Sequence, residues 1–388
     1  MQQVTSKCNI QHLIVKICSI CNLSCDYCYV FNKADKSHQI EPDVMSMEVV
    51  EMLLFRIDEF FSETKQKHLH ITFHGGEPLL AGEDFFTSFI DKYHAIVRNG
   101  EISFGLQTNG TLLNEKWCRL LDKLNIHFGV SIDGDRSACK YRKYKNGLEA
   151  FDSIIQGYKY ALQCDITPPI LSVINTQQSP STFYNSLKSL NANYIDCLLP
   201  DATYETYNAE YRGIGLWLIQ LFDIWFADKS RLRIRLFEAI VHLLLDSSSP
   251  VGGEMFGNTL NGVLDIRPDG IIDIPDTLRI CDVHFLESRY SIFINKLIDI
   301  TSEEIYKKYY FSHKDQYLSG QCSNCIVKDV CGGGLLAHRF SKEREFDNPS
   351  VYCFDLFLLI KHVQNKIFGE MDADNVDLIA VSDFNNWR

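Results

Sequence analysis

Long apolar runs are missing from this sequence: across 388 residues no uninterrupted stretch approaches the ~20 residues that a helix needs to span a bilayer. A membrane span is therefore not expected. The opening MQQVTSKCNIQ has no apolar core of the kind that marks a secretory signal, so a soluble, cytoplasmic protein is expected. Positive charge is scarce as well. Lys and Arg number 38 against 50 Asp and Glu, a net charge of -12 that repels nucleic acid and anionic lipid at long range and suits a peptide or small-molecule partner. No long internal repeat and no low-complexity linker interrupts the chain. With 46% hydrophobic and 23% charged residues, the balance is that of a globular chain with ample material for a core, which excludes wholesale disorder.

Cysteine, by contrast, is abundant. Fourteen in a chain expected in the cytosol, where structural disulfides rarely persist, make metal binding the leading explanation for those that cluster. Cys8, Cys118, Cys139, Cys164 and Cys197 stand alone in apolar or mixed surroundings and are expected to pack as small hydrophobes.

From residue 12 to about residue 230, short apolar runs (12-17, 68-76, 103-110, 127-134, 169-175 and 194-200) alternate with segments of helical spacing such as 47-61, 83-97, 115-124 and 211-227. Six strand-helix units in a row imply a parallel sheet in an α/β fold. Four runs end in the polar or glycine-rich stubs HGGE, QTNG, SIDG and VIN, which should converge on the active-site face if the units form a barrel. After about residue 230 the pattern changes to a helical stretch (231-246), the segment GGEMFGN, and a hairpin around Pro268-Asp269-Gly270. The remainder carries a second cysteine group in a glycine-rich loop.

The first group, in KICSICNLSCDYCYV, is Cys21-x3-Cys25-x2-Cys28, directly after the first expected strand. Three thiolates close in sequence can bind three irons of a 4Fe-4S cube and leave the fourth iron open to a substrate or cofactor. Zinc is the competitor, kept alive by the C-x2-C that Cys18 makes with Cys21, although zinc sites usually draw four ligands from paired C-x2-C units.

CNLSCDYCYV, followed in order by FHGGEPLL, LQTNG and SIDG, resembles the radical S-adenosylmethionine (SAM) superfamily. The resemblance implies a partial (β/α)6 TIM-like barrel, with Cys21, Cys25 and Cys28 as cluster ligands and SAM on the open iron, from which a 5'-deoxyadenosyl radical is released. It implies that Tyr27 lies against the adenine and that Gly75, Gly76 and Glu77 hold the methionyl amine; a carboxylate complements an ammonium, and glycine lets backbone approach a ligand. Ser131 and Asp133 stand where the family commonly contacts the ribose, with Asn109 and Asn175 as further candidates. All four are equally at home as turn residues at strand ends.

The second group, Cys322-x2-Cys325-x5-Cys331 with Cys353 beyond, supplies four thiolates, enough to close every site of a 4Fe-4S cube, or to build a zinc ribbon. The block is similar to the SPASM extension of peptide-modifying radical SAM enzymes, implying an auxiliary cluster that relays electrons or clamps the structure. The full SPASM pattern holds two auxiliary clusters, and this chain departs from it: Leu335 and Pro275 stand where cysteines are expected, and Cys281 falls six residues past the second of these. Two clusters in total are expected, one binding SAM and one auxiliary, with Cys281 a stray ligand or a core residue. The domains expected are residues 1-230, the partial barrel, and residues 231-388, a bridging helix with a SPASM-like iron-sulfur domain.

CGGGLLAHRFS and EFDNPSVYC look most like maturases that form three-residue cyclophanes in ribosomal peptides. That resemblance implies a carbon-carbon crosslink between an aromatic side chain and a nearby β-carbon, with a ribosomal precursor peptide and an external electron donor as partners, and no nucleic acid or membrane. The alternatives are thioether formation, epimerisation, sulfatase maturation (against which the missing cysteines argue), or a non-catalytic iron-sulfur sensor. No general base is named by the sequence; Asp201, His338 and Glu77 are nominal candidates, and His338 and Arg339 suit a structural role beside the cluster loop. Phe384-Asn385-Asn386 near the C-terminus resembles the aromatic-x-Asn substrates of such maturases, and is expected to be a frayed tail.

Overall fold

The computed structural model describes residues 10-32, 36-273, 275-282 and 288-370. Cys8 and the Phe384-Asn385-Asn386 tail lie outside the described residues. Six strands alternate with helices in chain order: β1 (His12–Cys18), α1 (Met47–Thr64), β2 (His68–Gly75), α2 (Glu83–Ile96), β3 (Glu101–Thr108), α3 (Glu115–Lys123), β4 (Ile126–Ser131), α4 (Phe151–Gln163), β5 (Ile170–Val173), α5 (Pro180–Ser189), β6 (Tyr194–Leu198) and α6 (Ile214–Ala227). Helix starts follow local chemistry. Ser46, Asn114 and Ser179 each accept a backbone N–H three residues on, capping α1, α3 and α5, and Pro180 follows its cap where a missing N–H costs nothing. Among the described residues no helix is long and apolar enough to cross a membrane.

The chain forms two compact units, each discontinuous in sequence, so the break in sequence pattern near residue 230 is not a break between them. The first comprises residues up to Ser131, Lys140–Pro168 and Gly262–Phe311. In it β1, β2, β3 and β4 pair in parallel in that order. On the other side of β1, β8 (Val263–Ile266) pairs in parallel and carries the antiparallel strand β9 (Ile271–Asp273), the hairpin expected around Pro268-Asp269-Gly270.

The two faces of β2 show why this sheet holds. Leu69, Ile71 and Phe73 are fully buried on one face, and the Phe73 ring meets Phe86 and Phe89 of α2 edge-on at 5.5 and 4.9 Å. Each such buried ring contributes roughly 1.5–3 kcal/mol. The opposite face is polar and pairs within itself: His12 Nε2 bonds Thr72 Oγ1 and His70 Nδ1 bonds Ser103 Oγ, both at 2.8 Å. Burial, with His70 and His74 nearby, pushes His12 down to about 4, so its imidazole is neutral at physiological pH.

The second unit comprises Ile132–Cys139, Pro169–Asn261 and the chain from Ser312 on. Here β5, β6 and β7 (Arg233–Ile234) pair in parallel. Helix α6 packs against the long helix Cys353–Glu370, with the Phe222 ring edge-on to His362 at 5.9 Å, and that helix buries Leu356, Leu359, Ile360 and Val363. The two helices approach closely at Gly215, whose N–H donates to Asp355 Oδ1 at 2.7 Å.

Candidate active site

In the first unit, β1 ends at Cys18 and the chain turns into the loop of Cys21, Cys25 and Cys28, which is laid against the end of β2. Gly76 N–H donates to Cys18 O and Glu77 N–H to Ile20 O, both at 2.9 Å. A Cβ on Gly75 would run into the Cys18 carbonyl, and one on Gly76 into that of Ile20; Gly75 also holds φ +128°. The two glycines are thus demanded by the passage of the cysteine loop.

Glu77 has no solvent exposure, and its carboxylate is engaged by three donors of the protein. Oε1 accepts from Leu79 N–H at 3.1 Å and Thr108 Oγ1 at 2.7 Å, and Oε2 accepts from Asn109 N–H at 2.8 Å. Burial raises its carboxyl to about 7, against the pull of those donors. Asn109, so placed, donates from Nδ2 to Asn22 Oδ1 at 2.9 Å and reaches Cys21 Sγ at 3.8 Å, while its Oδ1 accepts from Thr111 N–H and Oγ1 at 3.0 and 2.7 Å. Asn22 Nδ2 returns to Thr111 Oγ1 at 2.8 Å, closing a ring of polar contacts around Cys21.

The thiols separate into two kinds. Cys18 is buried and donates to the carbonyls of Glu77 at 3.1 Å and Ile20 at 3.3 Å, so its sulfur is occupied by backbone. Cys21, Cys25 and Cys28 are half-buried, and Cys21 is pushed up to about 12, first by burial, then by Glu77, Cys25 and Cys28. Three mutually repelling, desolvated sulfurs on one loop suit a group of positive irons, and the C-x2-C of Cys18 and Cys21 does not function as a pair. The loop is anchored by Ser24 N–H to Lys143 O at 2.7 Å and Asp26 N–H to Tyr141 O at 3.0 Å, and the Tyr27 ring lies 5.5 Å from the Arg142 guanidinium. Ser131 Oγ accepts from Gln107 Nε2 at 2.9 Å.

Asp133 and Asn175 belong to the second unit, where Asp133 ties its segment to β5 and Asn175 serves its own turn. Asp133 Oδ1 accepts from Val173 N–H at 3.0 Å, and Asn175 Oδ1 accepts from Gln177 N–H at 3.0 Å. The same unit holds the second cysteine group. Cys322, Cys325, Cys331 and Cys353 line one cavity together with Val327 and Phe357. Burial raises Cys353, reinforced by Cys331, Cys322 and Cys325, and raises Cys331 to about 12. Four desolvated thiols around one apolar-walled space match the donor set of a cube closed at every corner. Among the described residues no three His, Cys, Asp or Glu side chains converge to hold a single ion. The CGGG run exists because Gly332, Gly333 and Gly334 all take positive φ as the chain leaves Cys331, and a Cβ on Gly332 would run into Gly257 O.

Leu335 caps the short 3-10 helix Leu336–Arg339 and Pro275 precedes the 3-10 helix Asp276–Ile280, while Cys281 is half-buried in the first unit. Arg339 is fully buried and donates to the carbonyls of Asn348, Tyr317 and Phe346, the structural role expected for it. His338 is buried edge-on to the Tyr352 ring at 4.9 Å, and burial pushes it down to about 3.

Asn22, Thr108 and Thr111 escaped sequence reading, although Asn22 lies inside the cysteine motif and Thr108 inside QTNG; an amide or hydroxyl in such a stub was the available signal. Lys314, discussed below, carried none.

Residues 15–177 match the model of the radical SAM superfamily. The chain is 27% identical over 361 residues to the cysteine-type anaerobic sulfatase-maturating enzyme of Clostridium perfringens (strain 13 / Type A), covering 88% of this chain and 92% of that one. It is 25% identical over 381 residues to the serine-type enzyme of Bacteroides thetaiotaomicron, covering 90% and 88%. The solved structure of native anSMEcpe with bound AdoMet superposes with a TM-score of 0.79 at 23% identity, over 94% of this chain and all of that one. Streptococcus suis SuiB bound to precursor peptide SuiA gives 0.61 at 15% identity, over 88% and 75%. The fold is the α/β radical SAM fold expected, and the segment that matches the radical SAM superfamily is the one that gathers Cys21, Glu77 and Asn109.

Proposed function

We propose that the chain is a radical SAM oxidoreductase acting on a peptide or a protein segment, and that oxidation of one serine or cysteine side chain in a sulfatase is its best supported reaction. The observation that carries this reading is the similarity to sulfatase-maturating enzymes of both types over 88% and 90% of the chain. It reverses the weighting drawn from the sequence, where the missing cysteines argued against sulfatase maturation. A crosslink from an aromatic side chain to a β-carbon is the second reading, favoured by Leu335 and Pro275 at positions where a further cluster needs cysteine.

Cys21, Cys25 and Cys28 would hold the SAM-binding 4Fe-4S cluster, and Cys322, Cys325, Cys331 and Cys353 the auxiliary one. When bound, the first cluster and SAM supply an adenosyl radical that removes a hydrogen atom from an unactivated carbon. The chain's own contribution is positional. Asn22 and Asn109 fix Cys21, Glu77 pins the β2 and β3 stubs together, and the raised thiols deprotonate as iron is taken up. Among the three base candidates, Glu77 is committed to three donors and His338 is too weakly basic, which favours Asp201, half-buried near Tyr211 and Tyr352.

The test is anaerobic reconstitution with iron and sulfide, then dithionite, SAM and peptides bearing a sulfatase-type serine or cysteine or an aromatic-x-x repeat. We expect 5'-deoxyadenosine together with loss of two hydrogens from the serine peptide and an uninterrupted fragment ladder in tandem mass spectrometry. A two-hydrogen loss with a gap in the ladder of the aromatic peptide would instead favour the crosslink. Deoxyadenosine with every peptide unchanged would overturn the substrate reading, and no deoxyadenosine at all would overturn the enzyme.

A further inference from the structure

The GGEMFGN segment is docked, within the second unit, onto the second cysteine loop. Gly257 N–H donates to Val330 O at 2.9 Å, and Gly332 offers the empty space into which the Gly257 carbonyl fits. Lys314 closes this contact from below the loop in sequence order. It is only 4% exposed, and its Nζ donates to Glu254 O at 2.7 Å and Phe256 O at 3.4 Å. Among the described residues no carboxylate lies at ion-pair distance from that ammonium. The Glu254 side chain is turned to Asn261 Nδ2, at 2.6 Å.

A buried ammonium held only by carbonyls needs an anion nearby. Burial pulls Lys314 down to about 7, and the first group that works against this is Cys331, ahead of Glu254. Of the other cations near this group, Arg339 spends its guanidinium on three carbonyls, and Lys328, which lines the cysteine cavity, donates to Ser323 O at 3.3 Å.

We propose that Lys314 is an electrostatic positioning residue for the group held by Cys322, Cys325, Cys331 and Cys353, a fixed buried cation that favours its reduced, more negative state. This rests on the reading of those cysteines as ligands of an iron-sulfur cluster. Each electron that enters such a cluster adds negative charge, and its potential follows net charge, hydrogen bonding and solvent exposure. A cation fixed in a low-dielectric interior acts strongly on that balance. The ammonium also ties the GGEMFGN segment to the cysteine loop, which keeps water from the same side of the cluster.

The experiment uses the full chain with Cys21, Cys25 and Cys28 replaced by alanine, so that one cluster reports, and an anaerobic redox titration followed by electron paramagnetic resonance. Lys314→Gln keeps donors for the two carbonyls and removes the charge; Lys314→Arg keeps the charge. At equal iron content we expect Lys314→Gln to lower the reduction equilibrium constant at least tenfold, about 59 mV for one electron, and Lys314→Arg to stay near the parent. Loss of iron from Lys314→Gln alone, with Lys314→Arg loaded and unshifted, would equally support a requirement for charge. An unshifted Lys314→Gln midpoint, or loss of iron from both variants, would overturn the proposal and leave Lys314 a packing residue. Metal analysis of the parent comes first: a parent that binds no iron overturns the cluster reading itself, before any potential is measured.

Discussion

Glu77 Oε2 accepts the backbone N–H of Asn109 at 2.8 Å in a fully buried site, and through this bond the stubs of two strands become one structure. The same Asn109 reaches Cys21 Sγ, so a single carboxylate sets the amide that sits on the first thiol of the cysteine loop. Low local dielectric strengthens such a network and makes each missing partner costly.

The titration of Glu77 is visible in stability. Burial holds its carboxyl at about 7 in the folded chain, above the ordinary 4.5. A raised folded value means that its contribution to stability is fully present below about pH 4.5 and is lost as pH rises through about 7. Between pH 5 and 8 the melting temperature of the wild type should fall more steeply than that of Glu77→Gln, measured by calorimetry on the cluster-free chain. Parallel slopes would count against the assignment.

Gly76→Ala should damage the cysteine loop more than the sheet. Its new Cβ meets the Ile20 carbonyl and the Cys21 nitrogen, both backbone, so the loop must shift rather than a side chain yield. A cost of roughly 1–3 kcal/mol is expected, with iron uptake at the first site reduced and the circular dichroism of the folded chain retained. Full iron uptake by this variant would show that the loop has room to move.

Cys18 and Cys21 are three residues apart and should behave as opposites. Cys18→Ala removes one thiol proton shared between two carbonyls, worth about 1 kcal/mol or less, and should leave iron content and deoxyadenosine formation near wild type. Cys21→Ala should abolish deoxyadenosine formation. Equal loss in the two variants would return Cys18 to the ligand set.

Cys353→Ala opens one corner of the second site. Cys353 is the member of the group most distant in sequence, yet it lines the same cavity as Cys322, Cys325 and Cys331. We expect iron per chain to fall by up to about half, with deoxyadenosine formation retained and peptide oxidation lost. Unchanged iron content would remove Cys353 from the ligands.

Much of this architecture was legible because it is written in local periodicity. The six apolar runs became β1 to β6 with ends shifted by a few residues, and the hairpin formed where Pro268-Asp269-Gly270 placed it. Helices were readable where an apolar stripe met a capping residue, as at Ser46 and Asn114. The units were not, since each gathers segments from distant parts of the chain. Roles at the site were legible by residue type and less so by partner. Glu77 is held by Leu79, Thr108 and Asn109, partners that its residue type does not announce; Asn175 serves its own turn.

What the sequence by itself determined is the α/β order and the chemistry of the donors, because strand alternation, helix spacing and cysteine spacing are properties of neighbouring residues. Only the tertiary structure decided which groups face one another: that Cys18 turns to backbone while Cys21 turns to Asn109, and that Lys314 is buried beside Cys331. Those choices depend on close approaches between segments far apart in the chain, such as Gly76 on Ile20 and Gly332 on Gly257, where the absence of a side chain sets the distance and burial then sets the charge.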